Sequence, residues 1–372
     1  MSTETTSSRS STRSARATTR SRPEPERSGA GSPLGLHRVL DRERRLPQAA
    51  EQLDNTLPIW SNEILLDVER LNIDAASFMQ MEQETRRDPS KIAAIVRENL
   101  DRRGKQQNRV TGSGGMLVGT VRQVGSHYRG PLKLRPGDRI ATLVSLTLTP
   151  LRLDAIHKVH LDKHQLDVSG HAILFETGIA AKLPEFLPEP VAMALFDVAG
   201  APATVNAMVK AGQRIVVLGA GGKAGTLCCV AARRKAGKKG KIIAIEPSAR
   251  AAAELERLRC CDAVLQIDAR DPVAVQAAVA AATRGKMGDV VINVASVPDT
   301  EASALLSVHG KGQVLFFGMA TSFTKVALGA EGIGCGAKLL FGNGYYRGHD
   351  RFAVELLKTN RLLRDLFCRR YG

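Results

Sequence analysis

Six short apolar runs recur between residues 214 and 343: RIVVLG (214–219), KIIAIE (241–246), AVLQID (263–268), DVVINV (289–294), QVLFFG (313–318) and KLLFGN (338–343). Ala-rich stretches of helical character separate them. Strands that read as nearly continuous apolar runs are buried on both faces, which requires helices above and below the sheet. The pattern therefore predicts an α/β fold built on a doubly wound parallel sheet. The preceding region has a different texture. EILLDVERLNI (63–73) and MLVGTVRQVG (116–125) alternate like half-buried strands, and RPGDRIATLVSL (135–146) is a turn feeding a strand. Between the first two, DPSKIAAIVRENLDRRGK (88–105) opens on an Asp-Pro cap signal and spaces its apolar residues like a helix. Strand-rich texture lasts to about residue 177, and the last 25 or so residues are again helical in pattern.

The expected organisation is a tail at 1–32, a β-rich unit at 33–190, the parallel-sheet unit at 191–342 and a helical return at 343–372 that packs on the β-rich unit. Residues 1–32 are Ser, Thr and Arg with little apolar content, so burial cannot offset their ordering entropy and disorder is expected. A chain of 372 residues, 43% hydrophobic and 24% charged, suits two cores. No apolar run reaches the roughly 20 residues that span a bilayer. The N-terminus lacks the apolar stretch of a secretory signal. The six cysteines, with no C-x-x-C, fit neither a zinc ribbon nor a disulfide framework, so a reduced, cytoplasmic protein is expected. The net charge of +16 resides partly in the tail and partly in RRKAGKKGK (233–241), where the first crossover helix of a nucleotide unit should end and cations suit its dipole. With aromatics at 4% and no nucleic-acid module, no specific nucleic-acid partner is expected; an RNA-binding reading of the basic surface ranks last.

GAGGKAG follows the first of the six runs and opens AGTLCCVAARR, a plausible helix. In that context Gly219, Gly221, Gly222, Lys223, Ala224 and Gly225 read as a dinucleotide loop, its glycines permitting a tight turn and close approach of backbone N–H groups to a pyrophosphate. Ala after Lys223 excludes a P-loop. Glu246 ends the second run, where an acid accepts from ribose hydroxyls. Its carboxylate favours NAD, while Ser248 and Arg250 close behind would accommodate the 2′-phosphate of NADP.

A β-rich region containing PGDRI, followed by a Rossmann unit and a helical return, resembles the medium-chain dehydrogenase/reductase superfamily. More specifically, LPQAAEQLDN (46–55), NEILLDVERLNIDAASF (62–78), RGKQQNRVTGSGGMLVG (103–119), IATLVSLTLTPL (140–151), AILFETGIAAKLP (172–184) and DVAGAPA (197–203) resemble the L-erythro-3,5-diaminohexanoate dehydrogenase family. Arg109 stands where that family is expected to have proline, and the basic tail is additional. The resemblance implies a GroES-like catalytic unit, a homodimer, and NAD(P)-dependent oxidative deamination of a diamino acid in lysine fermentation. A quinone- or enoyl-reductase-like activity is the alternative, since such enzymes share the glycine spacing and lack zinc. Counting back from Gly119 and Gly125, the zinc-ligand positions of the superfamily fall on Gly115 and Met116, with an earlier one near Asn72, so zinc catalysis is not expected. His157, His160, His164 and His171 are read as surface histidines rather than a metal set.

Deamination requires the substrate ammonium to lose a proton before its carbon gives up hydride. Asp74 is the first candidate as base or ammonium holder, and Glu82 the second, with Glu84 beside it; a turn-capping role for Asp74 stays open. Thr111, Ser113 and neighbouring glycine N–H groups form a possible nest for the substrate carboxylate, or else a plain turn. Asn72, Lys105 and Asn108 are secondary substrate candidates. By the superfamily layout, Asn293 and Gly318 mark the strand ends beside the nicotinamide.

Overall fold

The computed structural model describes residues 24–41, 45–108, 112–342 and 344–372. Among them the chain runs β1 (Ile64–Asn72), α1 (Ala75–Thr85), α2 (Pro89–Arg103), β2 (Met116–Val124), β3 (Arg139–Thr142), β4 (Leu151–His160), β5 (Gln165–Leu174) and β6 (Ala180–Lys182). These six strands form one antiparallel sheet in the order β4-β5-β1-β2-β3-β6. In β1, Ile64, Leu66, Val68 and Leu71 enter the core of this sheet with Phe78 and Met81 of α1 and Ile92, Val96 and Leu100 of α2. Asp88 caps α2 by accepting from the Ser90 and Lys91 N–H groups, with Pro89 supplying the preset φ of a first helical residue. Gly104 ends α2 in the left-handed conformation.

A connecting pair, α3 (Glu189–Phe196) and α4 (Gly200–Met208), leads to β7 (Arg214–Leu218), α5 (Lys223–Ala236), β8 (Lys241–Ile245), α6 (Ala249–Leu258), β9 (Ala263–Leu265), α7 (Pro272–Thr283), β10 (Gly288–Asn293), α8 (Glu301–Leu306), β11 (Val308–Phe316), α9 (Phe323–Gly332) and β12 (Lys338–Phe341). The second sheet is parallel throughout, ordered β12-β11-β10-β7-β8-β9. That is the Rossmann order, with its reversal between β7 and β10, and ligands of such sheets bind beyond the carboxyl ends of the strands there. The basic run sits as expected at the end of α5, where Arg233 donates to the carbonyls of Gly237 (2.8 Å) and Gly240 (3.1 Å). Among the described residues no single helix is long and apolar enough to cross a membrane.

Several expectations are corrected. Residues 24–32 of the expected tail are packed: the Arg27 N–H donates to the Ile59 carbonyl (2.8 Å) and Ser126 N–H to Glu26 Oε1 (3.0 Å). Residues 1–23 lie outside the described residues. The segment after β1, to which the sequence pattern assigns no element, is helix α1; its few core contacts leave a weak periodic signal in the sequence. β11 begins at Val308, ahead of the apolar run, because Gly288 pairs with Val308 across the sheet. The C-terminal helices α10 (His349–Thr359) and α11 (Arg361–Tyr371) pack on α3–α6, which places the return against the nucleotide side. The histidines are not uniformly superficial. His171 is buried with Nε2 2.8 Å from the Asn55 carbonyl, although it lies on the sheet face opposite the core residues Val168 and Ala172. His164 is half-buried and stacked on Phe78.

Candidate active site

Gly219 leaves β7 with a φ of 74°. A Cβ on Gly225 would lie 2.2 Å from the Gly219 carbonyl oxygen and 2.6 Å from the Ala220 backbone, so only glycine lets helix and loop approach. Gly222 caps α5 and is exposed, with nothing nearer than the Gly219 carbonyl oxygen at 3.4 Å from an added Cβ. The free N-terminus of a 14-residue helix therefore faces open space at the switch point of the sheet, which fits a pyrophosphate. Ala224 lies in the first turn of that helix. The Glu246 carboxylate stands beside the loop, accepting from the Gly221 N–H (2.9 Å) and the Ser248 N–H (3.0 Å). Arg250 projects into solvent, 3.9 Å from Glu254. Asn293 is fully buried, its Nδ2 donating to Thr300 Oγ1 (2.8 Å) and its carbonyl accepting from the Phe317 N–H (2.9 Å). Gly318 packs against the Ala295 carbonyl at a distance no side chain would permit.

A cleft of about 510 Å³ opens between the two sheets. Asp74, Ser113, Gly115, Met116 and Thr142 line it from the first sheet, Phe196 and Asp197 from the end of α3, and Phe317, Met319, Tyr345 and His349 from the far side. Asp74 takes the capping role left open for it. Its Oδ1 accepts from the Ser77 N–H and caps α1, while Oδ2 is buried without a hydrogen-bond partner among the described residues. Ser113 lies on the cleft wall, but the Gly112 N–H is already donated to the Asn108 carbonyl (3.0 Å), which leaves one donor fewer for a nest. Thr111 falls outside the described residues, as does Arg109.

The other candidates do not line the cleft. Asn72 is buried, its Oδ1 accepting from Gln165 Nε2 (3.2 Å). Lys105 is fully buried and donates to the carbonyls of Pro47 (2.8 Å) and Gln48 (3.0 Å), the latter a cleft-lining residue. Burial, with Arg103 nearby, lowers its pKa to about 8. The Asn108 side chain donates to Gln80 Oε1 (2.7 Å). Glu82 lies 3.4 Å from Arg87, and Glu84 accepts from Gln80. The residues aligned with a zinc set, Gly115, Met116 and Asn72, do come together where β1 and β2 pair, but glycine, a thioether and an amide do not make a zinc site. Gly115 is required there, since a Cβ would strike the Asn72 carbonyl oxygen at 2.1 Å.

The sequence reading passed over Asp197, although it opens DVAGAPA. Asp197 Oδ2 accepts from Lys223 Nζ at 2.7 Å, joining the cleft to the glycine loop. Lys223 also lies 5.9 Å from the centroid of the Tyr371 ring, and Arg370 donates to the Gly221 carbonyl (2.8 Å), so α11 braces the loop. Burial lowers the pKa of His164 below the ordinary histidine value, Glu82 acting in the opposite direction and Lys223 in the same one.

A profile for the N-terminal domain of L-erythro-3,5-diaminohexanoate dehydrogenase matches residues 37–184. The chain is 44% identical over 341 residues to the L-erythro-3,5-diaminohexanoate dehydrogenase of Acetoanaerobium sticklandii, covering 92% of this chain and 99% of that one. It is 45% identical over 337 residues to the enzyme of the same name from Fusobacterium nucleatum, covering 91% and 98%. Among solved structures, an alcohol dehydrogenase from Thermotoga maritima matches 83% of this chain and 86% of its own with a TM-score of 0.53 at 17% identity. CurK enoyl reductase matches 80% and 79% with a TM-score of 0.52 at 14% identity. These structural likenesses show the shared fold. The near full-length identity goes further: this chain belongs to the L-erythro-3,5-diaminohexanoate dehydrogenase family.

Proposed function

We propose that the protein catalyses NAD(P)-dependent oxidative deamination of L-erythro-3,5-diaminohexanoate to 5-amino-3-oxohexanoate and ammonia, without zinc and within lysine degradation. The observation that carries this reading is the identity, along nearly the whole chain, to two dehydrogenases of that name. When bound, the nicotinamide cofactor accepts hydride from C3. Residues 191–342 hold it, with the α5 N-terminus on the pyrophosphate and Glu246 on the ribose, where its carboxylate disfavours a 2′-phosphate and so favours NAD. Residues 33–190 hold the substrate. The unsatisfied Oδ2 of Asp74 receives a substrate ammonium, and Ser113 with its loop receives the carboxylate. The six unpaired cysteines suit a reducing cytoplasm.

The test is the absorbance of reduced nicotinamide after mixing protein, L-erythro-3,5-diaminohexanoate and either NAD⁺ or NADP⁺ in chelator. Reduction that persists in chelator, with the higher kcat/KM for NAD⁺, is expected. Dinucleotide binding without turnover would instead favour a quinone or enoyl reductase.

A homodimer is part of the proposal. β12 is an edge strand, and Phe341, Tyr345, Phe323 and Leu328 expose apolar surface on or beside it. Light scattering on the intact protein is expected to give twice the chain mass. Phe341→Asp should shift it toward the monomer, and an unchanged dimer would exclude this edge as the interface.

A further inference from the structure

We propose that Asp197, oriented by Lys223, accepts the proton of the substrate's reacting C3 ammonium, an assignment that rests on the deamination reading above. Asp197 closes the C-terminus of α3 and lines the same cleft as Asp74. Its Oδ2 is held by Lys223 Nζ at 2.7 Å, and its Oδ1 makes no hydrogen bond among the described residues. Lys223 is the first residue of α5, directly after Gly222. The pair therefore sits on the cofactor side, where a carbon poised for hydride transfer must lie, whereas Asp74 stands across the cleft on the first sheet.

Of the two partners, only the carboxylate is a base. Burial draws Lys223 down, but the Asp197 charge more than offsets it and leaves the ammonium above its ordinary value, hence protonated at neutral pH. That cation also lowers the proton affinity of an amine placed beside it. His164, whose titration feels both partners, is not on the cleft wall; its ring stacks on Phe78 at 4.8 Å.

The chemistry balances. The C3 ammonium transfers one proton to Asp197, the nitrogen lone pair forms the C=N bond as the C3–H bond breaks, and the hydride passes to the oxidised nicotinamide dinucleotide. Water adds to the resulting iminium, the nitrogen departs as ammonium ion leaving the ketone, and Asp197 returns its proton to solvent.

Asp197→Asn is expected to lower kcat at least a hundredfold with KM changed by less than about fivefold, the signature of a contribution made in the transition state. Binding of reduced dinucleotide, followed by its fluorescence, should be no weaker than wild type. In Asp197→Ala, added formate should restore part of kcat, and in Asp74→Ala it should not. A kcat within tenfold of wild type, or a loss expressed wholly in KM, overturns the assignment; the latter makes Asp197 an ammonium holder. Should Asp197→Asn fail to fold, Asp197→Glu keeps the ion pair and displaces the acceptor by a methylene. A tenfold or greater fall in its kcat supports the role, and an unchanged kcat overturns it. Wild-type protein that binds dinucleotide but never turns over the diamine overturns the deamination reading and this role with it. Active wild type with active Asp197→Asn overturns this role alone.

Discussion

Gly225→Val is expected to raise the dissociation constant for reduced nicotinamide dinucleotide more than a hundredfold and to lower the melting temperature by several degrees. The reason is local and steric. A Cβ at 225 lies 2.2 Å from the Gly219 carbonyl oxygen and 2.6 Å from both the Cα and the carbonyl carbon of Ala220. All three are backbone atoms of the loop itself, so no side chain can swing aside, and overpacking of this kind costs about 1–3 kcal/mol. The loop must move off the end of α5, taking with it the N–H groups that would meet the pyrophosphate. Gly222→Ala is the internal control. Its Cβ meets only the Gly219 carbonyl oxygen, at 3.4 Å, so the melting temperature should stay at the wild-type value while the methyl intrudes on the open face and weakens binding. Fluorescence titration and thermal melting of both variants check the pair. Binding by Gly225→Val within tenfold of wild type would remove the loop from the cofactor site.

Arg38→Met is expected to cost about 3–5 kcal/mol of unfolding free energy at pH 7, the usual penalty for stranding one partner of a buried ion pair. Arg38 is 0% exposed and Glu63 1%. The guanidinium donates from Nε to Glu63 Oε1 (2.7 Å) and from Nη2 to Oε2 (2.6 Å), a bidentate pair, and from Nη1 to the carbonyls of Asp54 (3.0 Å) and Thr56 (2.9 Å). Burial pushes the Glu63 carboxyl up, but the hydrogen bonds from Arg38 and His37, with the Arg38 charge, more than offset it and hold it below the ordinary glutamate value. A carboxylate so depressed contributes stability that is present above its unfolded pKa and lost as pH falls through the folded one. Without Arg38 only the upward push of burial and weaker partners remain. The gap between wild type and Arg38→Met should then narrow as pH falls from 7 toward 4 and Glu63 takes up a proton. Arg38→Met combined with Glu63→Leu should recover at least half of the loss, since no buried charge is left. Urea unfolding of the three proteins measures this, and a single variant within about 1 kcal/mol of wild type would show that the pair is not a structural tie.

Legibility followed the range of the interactions. The inner strands of the parallel sheet, β7, β8 and β10 among them, were readable because burial on both faces leaves uninterrupted apolar runs, and α2 because Asp88, Pro89 and Gly104 mark its ends. Helix α1 was not, since only a few of its residues, Phe78 and Met81 among them, reach the core. The packed segment 24–32 was missed for a related reason. Polar contacts such as Arg27 with the Ile59 carbonyl, not apolar periodicity, hold it in place. Asp74 stood out in the sequence because it follows a strand, whereas its capping bond and the buried, unbonded Oδ2 became visible only in three dimensions.

What the sequence by itself determined is therefore the set of local necessities: the strand pattern of the two sheets, and a glycine loop whose left-handed turn and close helix approach are properties of neighbouring residues. Only the tertiary structure decided the cleft. Asp74, Asp197 and Lys223 come from three separate parts of the chain, and no periodicity or spacing links them. The common core that joins α3 to α5 sets Asp197 on Lys223 and in the cleft that Asp74 also lines, because the electrostatic partners of a side chain are chosen by distance in space, not in sequence.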